Sequence, residues 1–361
     1  MRLFGIHRTS EGGAFAPAPA RRQINALCRA LYAFAMAFSL CPAAGCTAIH
    51  AHQAQRQVIR GEQLMTSNDL EAALAAFQEA ARLDPQLAVA HSNMGRIYRR
   101  MGDYSQAIDS FIEAVRRNPL SFDDTFNLAQ LYHFTKKLKE AIQAYLYAVE
   151  LRPRDADVQL NLGVCYQQSG DYEQAVDRFQ RAIAIDDAQP HAFVNLGVAL
   201  DAQHKYYEAV SAYKAALERD SGQPLVLVNL ANTYVNLERY KLARQTLAQA
   251  LTMDSNLAAA HEALGYCLFR TRDFSAAEHA YEQALACDPR LPRAHAGLGS
   301  INMIFYIEDN TRTDCRDRAL EYWHSSLELN PDQPRIRNLI AQYTPKAMDP
   351  EQALLDTQGA P

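Results

Sequence analysis

From residue 54 to residue 344 apolar side chains recur with helical spacing, in paired stretches of about 12–14 residues, the length of short amphipathic helices. The second pair runs Ala88–Met101 and Tyr104–Arg117, split by Gly102-Asp103. Superimposed on it is a period of 34: Gly61, Gly95, Ala129, Gly163, Gly197, Ala231, Gly265 and Gly299. Two alanine series keep the same phase, from Ala73 and Ala80 to Ala277 and Ala284, and so does a bulky one, Phe77, Phe111, Tyr145, Phe179, Tyr213, Leu247 and Tyr281. A fixed period of this length predicts stacked helical hairpins, none of which can bury its apolar face alone. If the first series is position 8 of the unit, small residues at 8 and 20 let two helices cross closely. The bulky side chain at 24 fills the wedge beside them, and alanine at 27 lets the next unit dock. Pro85, Pro119, Pro153, Pro289 and Pro331 end second helices, because proline cannot continue the hydrogen-bond ladder.

These residues resemble the tetratricopeptide repeat (TPR) family, through Met94-Gly95-Arg96-Ile97-Tyr98, Gly102-Asp103-Tyr104, Ala107, Phe111, Ala114 and Pro119. Leu162-Gly163, Tyr166, Gly170, Tyr172, Ala175, Phe179 and Ala182 match it again. The resemblance implies an all-α fold, a right-handed TPR superhelix (α-solenoid) of about eight helix-turn-helix repeats over residues 54–344. Asp187, Ser221 and Ser255 replace the terminal proline, while Pro190 and Pro224 move it to the start of the next helix. The family's tryptophan at position 4 is absent, and the lone Trp323 falls at position 24 of the last unit. In that unit the expected alanine, Ala319, arrives eight residues late. The polar insertion around 306–316 is expected to lengthen the turn between the two helices. Arg335–Tyr343 reads as a capping helix, and 345–361 as a disordered tail.

The N-terminus carries a separate signal. Residues 1–29 hold five arginines and one acid, Ala30–Leu40 is apolar in character, and Pro42-Ala43-Ala44-Gly45-Cys46 follows. A basic segment, a short apolar run and small residues read as a secretory signal peptide over 1–46, with 47–53 as linker. Cysteine after Ala-Ala-Gly resembles a bacterial lipobox, which implies a lipoprotein with palmitate-type acylation of Cys46. Pro42 and Ala43 depart from that pattern. An uncleaved anchor and plain signal-peptidase cleavage stay open, although the apolar run is short for a span of about 20 residues. Thr47 after the cysteine favours the outer membrane by the same resemblance.

Loss of residues 1–46 would take the net charge from −5 to −9, which argues against nucleic acid as a partner. No cysteine spacing suggests zinc; Cys165 and Cys267 share position 10 and read as buried free thiols. No catalytic constellation is present. His91, His261 and His295 share position 4, a packing position, and Tyr98, Tyr132, Tyr166 and Tyr234 at position 11 read as core. No cofactor, metal or small-molecule substrate is expected. Glu308, Asp309, Asp314 and Cys315 leave a remote enzymatic alternative, read more simply as an acidic solvated loop.

The candidate site is the face lined by first helices. Asn93, Asn127, Asn161, Asn195 and Asn229 recur at position 6. They resemble the asparagine ladder of the TPR superhelix in O-linked N-acetylglucosamine transferases, which implies a grip on extended peptide backbone, since a carboxamide both donates and accepts. Asparagine is also habitual at this position in the family, so a ladder without a ligand is the alternative. Positions 5 and 9 supply an apolar strip of Phe126, Leu160, Val164, Val194, Val198 and Val228, read either as a binding surface or as packing between first helices. Arg96, Arg99 and Arg100 form a basic edge. No repeat pairs Lys at position 5 with Asn at position 9, so the carboxylate clamp of chaperone-binding TPR domains is missing. The expectation is a non-enzymatic scaffold, lipid-anchored in a bacterial cell envelope and facing the periplasm, that binds a protein or extended peptide segment. By resemblance to bacterial TPR lipoproteins, it would serve assembly of a pilus, secretion or exopolysaccharide machine. The alternative is a cytosol-facing, membrane-anchored regulatory TPR protein.

Overall fold

A computed structural model describes residues 44–345, and among them every regular element is a helix. Hairpins follow one another in order: α1 (Ala44–Thr66) with α2 (Leu70–Leu83), α3 (Ala88–Met101) with α4 (Tyr104–Arg117), α5 (Phe122–Phe134) with α6 (Leu138–Leu151), and α7 (Ala156–Gln168) with α8 (Tyr172–Ile185). Then come α9 (Pro190–Ala202) with α10 (Tyr206–Arg219), α11 (Pro224–Asn236) with α12 (Tyr240–Met253), α13 (Ala258–Arg270) with α14 (Phe274–Cys287), and α15 (Pro292–Glu308) with α16 (Thr313–Leu329). A last helix, α17 (Pro334–Tyr343), closes the series. The signal peptide expected over 1–46 lies outside the described residues up to position 43, as does the tail from 346. Residues 47–53, expected as linker, are helical and belong to α1. The chain forms two compact units, one ending at Ala90 and the other beginning at His91.

The 34-residue period is a packing rule. An added Cβ on Gly163 would lie 2.6 Å from Phe179, and one on Gly95 2.8 Å from Phe111, so glycine is what lets the ring lie flat on the first helix. Where position 8 is alanine, the neighbours are Tyr145 and Leu247, both fully buried. The lone tryptophan obeys the same rule, with Trp323 seated against Gly299. Asp69, Asp103 and Asp171 cap second helices by accepting from the N–H three residues on, each at 3.1 Å. The residue before that aspartate position is left-handed in seven hairpins: Asn68, Gly102, Lys136, Gly170, His204, Glu238 and Arg272. Pro190, Pro224, Pro292 and Pro334 open helices, where a missing N–H costs nothing.

The last hairpin departs from expectation. The eight extra residues do not build a long turn. The first helix α15 has 17 residues where α13 has 13, α16 has 17 where α14 has 14, and only Asp309–Arg312 lies between them. Nothing in Tyr306–Glu308 breaks a helix, so the insertion prolongs both elements instead. Cys315 is accordingly buried rather than displayed on a loop. Ile336, Leu339, Ile340 and Tyr343 of α17 cover Met303, Ala319 and Trp323 at the open end.

Candidate functional site

Within the unit beginning at His91, the first helices α7, α9, α11 and α13 each touch the next first helix, whereas second helices meet chiefly the first helices on either side. First helices therefore form its inner layer, and side chains at positions 5, 6 and 9 line that face.

The expected asparagine ladder divides. Asn93 is buried. Asn127 turns back on its own helix, its Nδ2 donating to the Asp123 carbonyl at 2.7 Å, while its Oδ1 accepts from Arg99 Nη1 at 2.9 Å. Asn161 repeats the first of these bonds, to the Asp157 carbonyl at 2.8 Å. Asn195 and Asn229 are half-buried and make no side-chain hydrogen bond among the described residues. The apolar strip divides too. Val228 is 5% exposed and belongs to the core, which removes it from any open surface. Phe126, Leu160, Val164, Val194 and Val198 are half-buried, each with one side against a core cluster. Phe126 stacks on Phe122 and meets Tyr145 edge-on. At the basic edge Arg96, Arg99 and Arg100 are exposed, and Arg99 also reaches Gln130 at 3.4 Å. Cys46 lies in the first turn of α1.

Two open recesses adjoin this face. One of about 310 Å³ is lined by Arg99, Tyr104, Gln130, Leu131 and Phe134. The other, about 500 Å³, is lined by Gln130, His133, Phe134, Tyr145, Asn161 and Gln168, among others. Phe134 stands 62% exposed between them, an aromatic anchor beside three carboxamides. Spacing does not single out Gln130, Phe134 or Gln168 as site residues, because position 9 and position 13, the end of the first helix, show no repeating residue type.

The groups that resemble chemistry are structural. His261 and His295 donate from Nε2 to the carbonyls of Ser255 and Pro289, each at 3.0 Å, and so tie the first helix to the preceding turn. No group of three His, Cys, Asp or Glu side chains among the described residues is placed to hold a metal. In the insertion, Asp309 Oδ1 accepts from Thr311 N–H and Oγ1, and Asp314 pairs with Arg318 at 3.1 Å. Asp201 is a half-buried carboxylate whose Oδ2 accepts from Tyr213 at 2.9 Å and Thr233 at 2.8 Å, with burial raising its pKa.

Comparison with known proteins agrees with this packing. Residues 90–300, more than half of the chain, match the family model described as the cilia and flagella-associated protein 70 C-terminal domain, a TPR model, and residues 61–102 match a TPR repeat model. The chain belongs to the tetratricopeptide repeat family. No curated protein matches it. Among solved structures it is similar to the C-terminal part of a TPR repeat-containing protein from Cytophaga hutchinsonii, with 19% identity over 67% of this chain and 99% of that one, at a TM-score of 0.56. It is also similar to the anaphase-promoting complex assembly Cut9–Hcn1, with 16% identity over 80% of this chain and 55% of that one, at 0.54. A TPR protein from Parabacteroides merdae shares 16% identity over 66% and 94%, at 0.50. At these identities the likeness establishes the TPR solenoid fold. TPR proteins are typically non-catalytic scaffolds for protein–protein interaction.

Proposed function

We propose that this TPR protein is a non-enzymatic scaffold, tethered to a membrane by lipid on Cys46, that holds an extended segment of a partner protein on its first-helix face during assembly of a cell-envelope machine. The observation that carries the reading is the recess between α5, α6 and α7. There the exposed Phe134 ring stands beside the carboxamides of Gln130, Asn161 and Gln168, an apolar anchor next to groups that can pair with peptide N–H and C=O. Asn161 is held in place by its own helix, so it meets a ligand pre-oriented. The tether rests on the basic segment, the apolar run and Ala43-Ala44-Gly45-Cys46. No helix among the described residues is long and apolar enough to cross a membrane.

A photo-crosslinking residue at Gln168, compared with one at Gln180 on a second helix, tests the binding face in cells. Adducts with a partner are expected from position 168 and should vanish with Phe134→Glu. Adducts from position 180 alone would overturn the assignment. Metabolic labelling with a palmitate analogue tests the tether, which predicts label on the wild type and none on Cys46→Ala.

A further inference from the structure

The asparagines at position 6 stop after Asn229; Ala263 and Gly297 take their place. Where they stop, α13, α14 and α15 line an open cavity of about 220 Å³, with Glu262, Tyr266, Phe269, Tyr281, Arg293 and Gly297 among its walls. The exchange is obligatory. An added Cβ on Gly297 would sit 2.5 Å from the Tyr281 ring, and one on Gly265 2.7 Å from its other side. The ring can form the floor only because position 6 has no side chain here.

The cavity is lined by one carboxylate and one guanidinium, and only the carboxylate is largely buried. Glu262 has 13% of its side chain exposed, and its Oε1 lies 3.2 Å from Nη1 of Arg293, which is 66% exposed. A largely desolvated carboxylate whose partner stands mostly in water holds that partner loosely, because solvent competes for the guanidinium. Burial also raises the Glu262 pKa, the sign expected where its counter-charge is weakly coupled. Tyr266, Phe269 and Tyr281 surround the carboxylate with aromatic surface that attracts a cation. Arg270 binds the Tyr266 hydroxyl at 3.2 Å and is balanced by Glu238 at 3.5 Å. An acidic ligand would have to sit against Glu262 to reach the cavity, whereas a basic one would replace Arg293. A planar guanidinium pairs with the carboxylate and stacks on the rings at once, which an ammonium does less well.

We infer that this cavity is a specificity pocket for an arginine side chain of the bound segment, which would displace the mostly exposed Arg293 as counter-ion of Glu262. The inference rests on the reading of the first-helix face as a peptide-binding surface.

The test titrates the full-length chain with N-acetyl-arginine methylamide and with its neutral isostere N-acetyl-citrulline methylamide, read by saturation-transfer NMR. The arginine probe should bind about tenfold tighter or more, as a charge-assisted pair predicts. Glu262→Gln should erase that preference. Arg293→Ala should tighten the arginine probe by freeing the carboxylate. Equal binding of the two probes to the wild type, no saturable binding of the arginine probe, or an undiminished preference in Glu262→Gln overturns the proposal. So does weaker binding to Arg293→Ala, which would make Arg293 the receptor for an acid. Crosslinks at position 168 without an arginine preference here would sink the pocket and leave the binding face standing.

Discussion

Gly197→Ala adds one methyl group where the period says none fits. The new Cβ would lie 2.6 Å from Cε1 of Tyr213 and 2.8 Å from Cδ1 and Cζ. Carbon atoms rest at about 3.5–4.0 Å, so the ring must retreat by roughly 1 Å. It has little room to do so, because Tyr213 is 1% exposed and its hydroxyl is held by Asp201 at 2.9 Å, on an oxygen that Thr233 also uses. Overpacking of this kind costs about 1–3 kcal/mol. Weakening the bond to the carboxylate adds up to about 1.5–3 kcal/mol. Against this, alanine favours the helix over glycine by about 1 kcal/mol. The expected net loss is therefore between about 0 and 5 kcal/mol, the upper end applying if the hydroxyl bond is lost. In a repeat array the loss should stay local, since stability is a sum of neighbour interfaces. Hydrogen exchange should lose protection in α8 to α11 and little elsewhere. A cycle with Tyr213→Leu isolates the contact: without the ring, Gly197→Ala should be neutral or stabilising by up to about 1 kcal/mol. An equal cost in both backgrounds, or protection lost evenly along the chain, would refute the reasoning.

Other expectations follow from single positions. Lys136, His204 and Arg272 hold a left-handed backbone that Gly102 and Gly170 adopt freely. Replacing each of the three by glycine should therefore raise the unfolding free energy by about 0.5–1 kcal/mol, seen as a higher denaturation midpoint, and a lowered midpoint for Lys136→Gly would contradict the turn geometry. Asp201 has a raised pKa, so its contribution to stability is greatest below the unfolded value of about 3.9 and is lost as pH rises through the folded one. Asp201→Asn, whose Oδ1 can still accept from Tyr213 and Thr233, should be the more stable protein at neutral pH and lose that advantage in acid; a pH-independent difference would show that burial is not the cause. Among Cys165, Cys267, Cys287 and Cys315 only Cys287 is exposed, and burial pushes the Cys165 thiol up to about 12. Of these four, iodoacetamide should label Cys287 alone in the folded state, and labelling of Cys165 at a similar rate would mean that α7 opens readily.

Much of this architecture is legible before any coordinates. Gly163 paired with Phe179, or Gly299 with Trp323, can be read from spacing because the two helices must cross wherever both are in phase. The proline at position 190 or 224 likewise announces a helix start. The insertion reads as a longer turn and is not one, because polar composition says solvent exposure and not turn. Tyr306–Glu308 carries no glycine or proline, and the helix simply continues. Val194 and Val228 occupy the same repeat position and differ in fate, since α11 is apolar through Val226, Leu227, Val228 and Leu230 and is buried along most of its length. Asn127 and Asn161 lie on first helices, but a carboxamide can bond to its own helix four residues back, and that competition has no signature in the spacing. The trace of the Glu262 pocket in the sequence is the replacement of asparagine by Ala263 and Gly297.

That replacement also shows how a repeat array acquires selectivity. Positions 8, 20, 24 and 27 hold one hairpin together and dock the next, so they keep their size in nearly every unit. Positions 5, 6 and 9 touch the framework less, and the chain varies them from Phe126, Asn127 and Gln130 to Leu160, Asn161 and Val164, and then to Glu262, Ala263 and Tyr266. The inner face can thus pass from carboxamides to an aromatic-walled carboxylate with no change of fold. Gly297 is the exception that limits this freedom. It lies at a lining position yet presses on Tyr281, a framework ring that Gly265 meets from the other side. A side chain at 297 would perturb the cavity and the hairpin together, so Gly297→Asn cannot separate binding from packing. Glu262→Gln preserves shape and changes only charge, which is why selectivity in this pocket has to be read from that residue.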